Sequence, residues 1–320
     1  MSKAAKIWLI TAGCLIVLGF VLFAAIMTVN HWDFTKLGTE KFETRTYEFK
    51  EEFHSVLINT DTADIVFLPS EDEKCKVVCY EPDSGIHDVT VKDGKLSINW
   101  LVYKKWYERI GITFGSPKVT VYLPRTEYVS LSIKESTGDV SIPDNFKFDS
   151  IDIKASTGDI KNRASATGDI IIKTSTGDIT LENTTARSLD LSVSTGNISV
   201  SGSKIDGNVT VHVTTGKSHL TDVTCKNLVS SGDTGDIVLK NVITAENLTV
   251  ERSTGDVKFE RCDAAEIWVI TDTGDVTGSL LSDKVFFANS DTGKVSVPKT
   301  TSGGRCEIRS DTGDIKITVE

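Results

Sequence analysis

The sequence is short of positive charge, methionine and proline, and each shortage excludes something. Its 35 Lys and Arg stand against 45 Asp and Glu, a formal net charge of -10 over 320 residues. Nucleic acid is thereby excluded as a partner, because phosphate backbones require a basic surface. With two Met and six Pro beside abundant Thr, Ser, Val and Ile, the composition leans to strand, and everything beyond about residue 40 reads as β. The six cysteines, Cys14, Cys75, Cys79, Cys225, Cys262 and Cys306, form no Cys-x-x-Cys pair and no Cys/His group with zinc-site spacing, so no structural metal or other cofactor is expected. Cys75 and Cys79 would lie roughly 13 Å apart on one strand, too far for a disulfide, which needs Cα atoms within about 7 Å. Unpaired thiols outside a membrane suit burial in a core or an anaerobic setting.

Charge is missing altogether from Ile7 to Val29. As a helix this run would be roughly 34 Å long, enough to cross a hydrocarbon core of about 30 Å. A cleaved signal fits less well, since the run is long and Leu22 and Phe23 stand where a cleavage site after Ala24 or Ala25 needs a small residue. Thr11-Ala12-Gly13-Cys14 has the look of a lipidation site but falls too early in the run. Lys3 and Lys6 precede the run, which places residues 1–6 in the cytoplasm and the rest outside, and Trp8 and Trp32 suit the two interfaces. The expected organisation is a membrane span over 7–29, a linker over 30–52, an irregular β cap over 53–130 and a regular solenoid over 131–320. So short a cytoplasmic segment holds no signalling domain, and any signal would have to pass through another membrane protein.

What the sequence does have is a repeat. Thr-Gly-Asp or a close variant begins at Thr137, Thr157, Thr167, Thr176, Thr195, Thr215, Thr234, Thr254, Thr273, Thr292 and Thr312, nearly always 19 or 20 residues apart. The two short steps flanking Thr167 imply one coil with the same corner at both ends. Side chains alternate independently of the triplet: the third and fifth residues after each Thr are almost always aliphatic, as at Ile179 and Leu181, Ile198 and Val200, or Val295 and Val297. The strand leading into each corner does the same, as in Leu189, Leu191 and Val193 or Val209, Val211 and Val213. One coil cannot bury such a face alone, but coils stacked at about 4.8 Å can, so the fold class is an all-β solenoid of roughly nine coils from Thr137, a rod of about 45 Å.

The triplet is a corner before it is anything else. Gly supplies positive φ, and Thr and Asp side chains can satisfy exposed backbone N–H groups. Asn197, Lys217 and Lys294 replace the Asp in three coils, which excludes catalysis by every corner Asp. In chain order the stack reads Asp178, Asn197, Lys217, Asp236, Asp256, Asp275, Lys294 and Asp314, so Lys interrupts the carboxylates after at most three. Asp236, Asp256 and Asp275 are then the weak candidates for a metal cation. Ahead of the array, Asp61-Thr62-Ala63-Asp64-Ile65 resembles a degenerate corner, and Val91 to Leu96 reads as a hairpin on an Asp-Gly turn.

Other motifs reduce to the repeat. Asp-Thr-Gly at Asp233, Asp272, Asp291 and Asp311 is the aspartic-protease triplet, but the period explains it and no flap exists to close over two carboxylates. The Gly-Asp fragments lack the glycine-rich nonapeptide of calcium-binding rods. His212 and His219 face outward with no third ligand. Solenoid lyases and glycosidases wall their clefts with long loops, whereas these connections are short, so a carbohydrate-active enzyme is an alternative rather than the first reading. The exception to the pattern is Trp100 to Phe114, where Tyr103, Lys104, Lys105, Trp106 and Tyr107 make the dense aromatic and basic cluster of the chain. These five residues are the candidate partner contacts, against packing on the rod end.

Together the Thr-Gly-Asp coils, the segment Val119-Thr-Val-Tyr-Leu-Pro-Arg125 and the apolar N-terminal run resemble bacterial proteins named putative adhesins, a family of unknown function, over roughly residues 45–320. The resemblance implies a β-solenoid and carries over no catalytic residue. The expected function is a non-enzymatic binding, adhesin-like or scaffolding module of the cell envelope with a protein or glycan partner. An envelope-stress sensor acting with another membrane protein is the alternative.

Overall fold

The structure is a computed structural model and describes residues 2–34, 40–103 and 115–320. Its one α-helix among those residues, Lys3–Val29, starts on Ser2, whose hydroxyl accepts the Ala5 N–H at 3.2 Å. By length and composition this helix can cross a membrane. Its Ile, Leu, Val and Phe side chains point outward all round, Trp8 at 76 % exposure among them, as a helix surrounded by lipid requires.

Beyond it the described chain is a β-solenoid of two facing sheets. Alternation sets which residues are inside. Along Ser188–Thr195, Leu189, Leu191 and Val193 are buried while Asp190 and Ser192 between them are not. Each strand pairs in parallel with the same residues of the next coil, Leu191 on Val211 and Ile198 on Ile179. Full burial of each such side chain contributes about 1.5–3 kcal/mol, so the inner column supplies the main stabilisation.

The corner triplets stack in register: Thr62, Thr137, Thr157, Thr176, Thr195, Thr215, Thr234, Thr254 and Thr273 pair in succession. Thr62 confirms the degenerate corner. The glycine is required twice over at Gly216, where φ is +139° and an added Cβ would lie 1.9 Å from the Gly196 carbonyl oxygen. Thr167-Gly168 does lie at the opposite corner, stacked on Phe148 and Asp149 through backbone bonds of 2.9 and 2.8 Å. Gly168 is not among the positive-φ glycines, so the two corners share a sequence and differ in backbone shape.

The ends depart from chain order. After Thr273 the next coil in space is that of Thr312, and Thr292 lies outside it. The chain leaves at Leu280, lays Lys284–Thr292 and Val295–Ser296 one coil too far out, and returns with Gly304–Thr312 and Ile315–Val319 to fill the gap. Val295 is consequently 43 % exposed, a correction to its place in the core: it sits on the outermost strand with no coil beyond it. At the other end Ser55–Asn59 and Asp64–Pro69 form a first coil. That coil is covered by the later strands Lys95–Val102 and Lys118–Leu123. Antiparallel strands then close this end: Cys75–Pro82 on Lys118–Leu123, Phe42–Phe49 on Cys75–Pro82, and Gly85–Lys92 on Lys95–Val102. The last pair turns on Asp93 and Gly94, both with positive φ. Phe42–Phe49 lies inside the stretch read as a linker, yet it is a full member of the sheet.

Candidate functional site

The corner carboxylates have a structural task. Asp139 accepts the backbone N–H of Asp159 at 2.8 Å, Asp178 that of Asn197 at 2.7 Å, Asp256 that of Asp275 at 2.9 Å, and Asp275 that of Asp314 at 2.7 Å. Each side chain thus satisfies a donor of the next coil and offsets its neighbour's charge with an amide dipole. The tucked C-terminal coil changes the order of the ladder. Asp314 stands between Asp275 and Lys294, whose N–H it accepts at 2.8 Å, so the run is four Asp long, and the interruption after three read from the chain order is corrected. Asp236 is paired with Lys217 at 2.9 Å. The weak cation candidates Asp236, Asp256 and Asp275 form a row along the outside of the rod. Asp233, Asp272, Asp291 and Asp311 are exposed on coils of the same stack. His212 and His219 face solvent from opposite sheets.

One buried polar group was hidden from spacing arguments. The connection between Cys75–Pro82 and Gly85–Lys92 crosses from one sheet to the other, bringing Glu81 and His87 together inside the cap. Glu81 Oε2 accepts from His87 N at 2.8 Å and lies 2.6 Å from His87 Nδ1, while Oε1 accepts from Arg45 at 2.6 Å. His87 Nε2 is 3.0 Å from the Thr60 hydroxyl, and the Tyr47 hydroxyl donates to the His87 carbonyl at 3.0 Å. Cys79, Glu81 and His87 are the group of metal-type donors that converges among the described residues. The carboxylate and imidazole already satisfy one another, however, and the arrangement fits a closed hydrogen-bonded ion pair with Arg45. The line Thr60, His87, Glu81 also has the order of a nucleophile, base and orienting acid. Thr60 is only 8 % exposed and does not line the cleft described next.

That cleft, of about 960 Å³, lies at the cap end on the side opposite the Thr-Gly-Asp ladder. The Phe49–His54 connection, the Pro69–Lys74 turn and the Pro124–Glu127 turn surround it. Its floor is apolar. Phe53 stacks on Tyr128 at 5.9 Å, Tyr128 packs at a tilt against Phe148 at 5.6 Å, and the Tyr128 hydroxyl donates to the Pro124 carbonyl at 2.9 Å. Burial pushes both the Tyr128 phenol and the Cys75 thiol up to about 12, so neither ionises near neutrality. Its rim carries Glu51, Glu52, Glu71, Glu73 and Glu127 against Lys50, Lys74 and Arg125. Asp72 holds the Pro69–Lys74 turn, accepting from Ser70 at 2.9 Å and from the Lys74 N–H at 3.3 Å. An apolar floor inside an acidic rim can seat an apolar group flanked by positive charge.

Of the expected partner contacts, Lys104, Lys105, Trp106 and Tyr107 fall outside the described residues. Tyr103 is 62 % exposed, with its N–H on the Ser84 carbonyl at 3.1 Å. Trp100, which opens the cluster, packs on His87 at 4.9 Å. No motif marks the cleft in the sequence; its residues come from three connections brought together by the coil stack.

Comparison with known proteins agrees with the architecture. No curated protein matches the chain. A putative lipid binding protein of Parabacteroides distasonis ATCC 8503 has a solved structure with TM-score 0.50 and 15 % identity, covering 88 % of this chain and 98 % of that one. A putative adhesin of Bacteroides fragilis NCTC 9343 gives 0.44 at 18 % identity over 87 % and 97 %, and one of Parabacteroides merdae ATCC 43184 gives 0.49 at 13 % over 88 % and 98 %. At these identities the likeness is one of fold. A family model matches the chain over residues 53–212 and again over 203–320, and the protein therefore belongs to the Toastrack DUF4097 family.

Proposed function

We propose that this protein is a non-enzymatic binding module of the cell envelope, tethered by Lys3–Val29 with its N-terminus in the cytoplasm, and that it engages its partner at the cap cleft. The observation that carries the reading is the cleft itself, a concavity of about 960 Å³ with an apolar floor and charged rim on an otherwise regular rod. Lys3 and Lys6 ahead of the apolar run support the orientation. The adhesin and lipid-binding names of proteins with this architecture agree with a binding role. A protein or lipid with an apolar group beside positive charge is the chemistry that suits this site.

Photo-crosslinking in intact cells tests it. A crosslinking amino acid placed at Glu73, Lys74 or Arg125 on the rim should give a discrete adduct, while one at Lys161 on the mid-rod face should not. Adducts from Lys161 equal to those from the rim, or none from any rim position, would show that the cleft is not the contact.

A further inference from the structure

A second surface lies far from the cleft, on the outer face of the sheet containing Asn208–Thr215, Asn227–Thr234, Asn247–Thr254 and Glu266–Thr273. In register across these strands stand Thr210, Val229, Thr249 and Trp268. Trp268 sits between Ile267 and Val269, each 1 % exposed and facing inward, so its indole rises from the outer face. On its Thr249 side the row is of small residues, and a depression of about 440 Å³ opens there beside the ring.

Along one side of this depression runs an amide ladder. Asn227 donates from Nδ2 to Asn208 Oδ1 at 3.0 Å, and Asn247 donates from Nδ2 to Asn227 Oδ1 at 2.9 Å. The ladder leaves a donor, Asn208 Nδ2, without a protein partner at one end and an acceptor, Asn247 Oδ1, without one at the other. These ends are separated by two coil steps, about 9.6 Å. The hydroxyls of Thr210 and Thr249 are likewise free of side-chain partners.

Charge decides the class of ligand. All nine residues lining the depression are uncharged, on a protein whose residues are 25 % charged. Carboxylates rim it: Glu246 accepts from Asn227 Nδ2 at 3.3 Å, Glu251 and Glu266 are exposed on the same face, Glu266 in register with Asn247, and Asp190 and Glu307 end the row beyond Thr210 and Trp268. An acidic polymer would be repelled by these carboxylates, and a peptide cannot add its backbone to strands whose own groups are consumed by the sheet. A ligand must instead offer an apolar face to an indole and hydroxyls that both donate and accept. We infer that this face is a binding surface for a neutral oligosaccharide, stacked on Trp268 and held at its edge by Asn208 and Asn247.

The test is calorimetric titration of the full chain in phosphatidylcholine nanodiscs with cellotetraose and with tetra-N-acetylchitotetraose, and with oligogalacturonate as the charged comparison. At least one neutral sugar should bind, and Trp268→Ala should weaken it by about tenfold or more while Trp268→Phe retains part of the affinity. Asn208→Ala and Asn247→Ala, surface changes that leave the core column intact, should each weaken it with an unchanged melting point. Absence of binding by both neutral sugars up to about 10 mM, preference for the oligogalacturonate, or unaltered affinity in Trp268→Ala would each overturn the assignment. Cleft variants at Lys74 and Arg125 should leave sugar binding unchanged, and loss of it there would overturn the assignment to the Trp268 face.

Discussion

Glu135 puts a carboxyl group inside the corner where the following coils carry Ala155, Thr174 and Val193. It is 3 % exposed and neither oxygen has a hydrogen-bond partner. Burial, reinforced by Asp64 and Asp139, pushes this carboxyl from 4.5 up to about 8. Between those values the folded protein holds a proton that the unfolded chain has released. Its stabilisation is complete below about pH 4.5 and is lost as pH rises through about 8, a difference on the order of 5 kcal/mol. Glu135→Gln should therefore flatten the fall in melting temperature between pH 5 and pH 9, read by thermal melts across that range; a fall as steep as the parent's would place the proton elsewhere. Glu81 acts in the opposite window. Burial pushes it up, but hydrogen bonds from His87 and Arg45 outweigh that and hold it below its ordinary value, so its contribution is lost as pH falls. Aligning the corner triplets singles out Glu135 and Arg252 as the two charged residues at this inward position, whereas Glu81 and His87 have no such mark.

Within a strand, a one-residue difference separates core from solvent. Leu191 is fully buried against Val211, and Asp190 beside it pairs with Lys173 at 2.8 Å on the outer face. Leu191→Asp places an unpaired charge in the apolar column and should cost several kcal/mol. Asp190→Leu removes an ion pair exposed to water and should cost about 1 kcal/mol or less. Chemical denaturation of the two variants checks the register; equal losses would mean that the face is wrongly assigned. The corner element has its own exception at Arg252, which is 3 % exposed and donates from Nη1 to the Val213 carbonyl at 2.9 Å. It reaches past Gly232, where a Cβ would lie 2.5 Å from that nitrogen. The repeat makes Gly232 look like an ordinary variant, and only the stacked coils show that it yields space to the next one.

The whole rod is closed at both ends by segments laid out of chain order. If residues 304–320 are deleted, the strands Glu266–Thr273 and Val276–Leu280 lose their outer partners and present two parallel edges. The truncated protein should self-associate with rising concentration, measured by light scattering after gel filtration; a monomer with the parent's melting point would show that the tucked coil is dispensable. The sequence by itself determined the period, the inward face of most strands, the corner geometry and the apolar helix, because each follows from contacts within one coil or between identical positions of adjacent coils. It did not determine which coil lies next to which at the ends: the Thr292 and Thr312 coils both carry Asp-Thr-Gly followed by the same alternation, and local pattern cannot tell their order. That order moved Val295 to the surface and Asp314 into the carboxylate run. The cleft, the meeting of Arg45 and Thr60 with the Glu81–His87 pair, and the depression beside Trp268 likewise depend on residues distant in the chain, and only the tertiary stack decided that they meet.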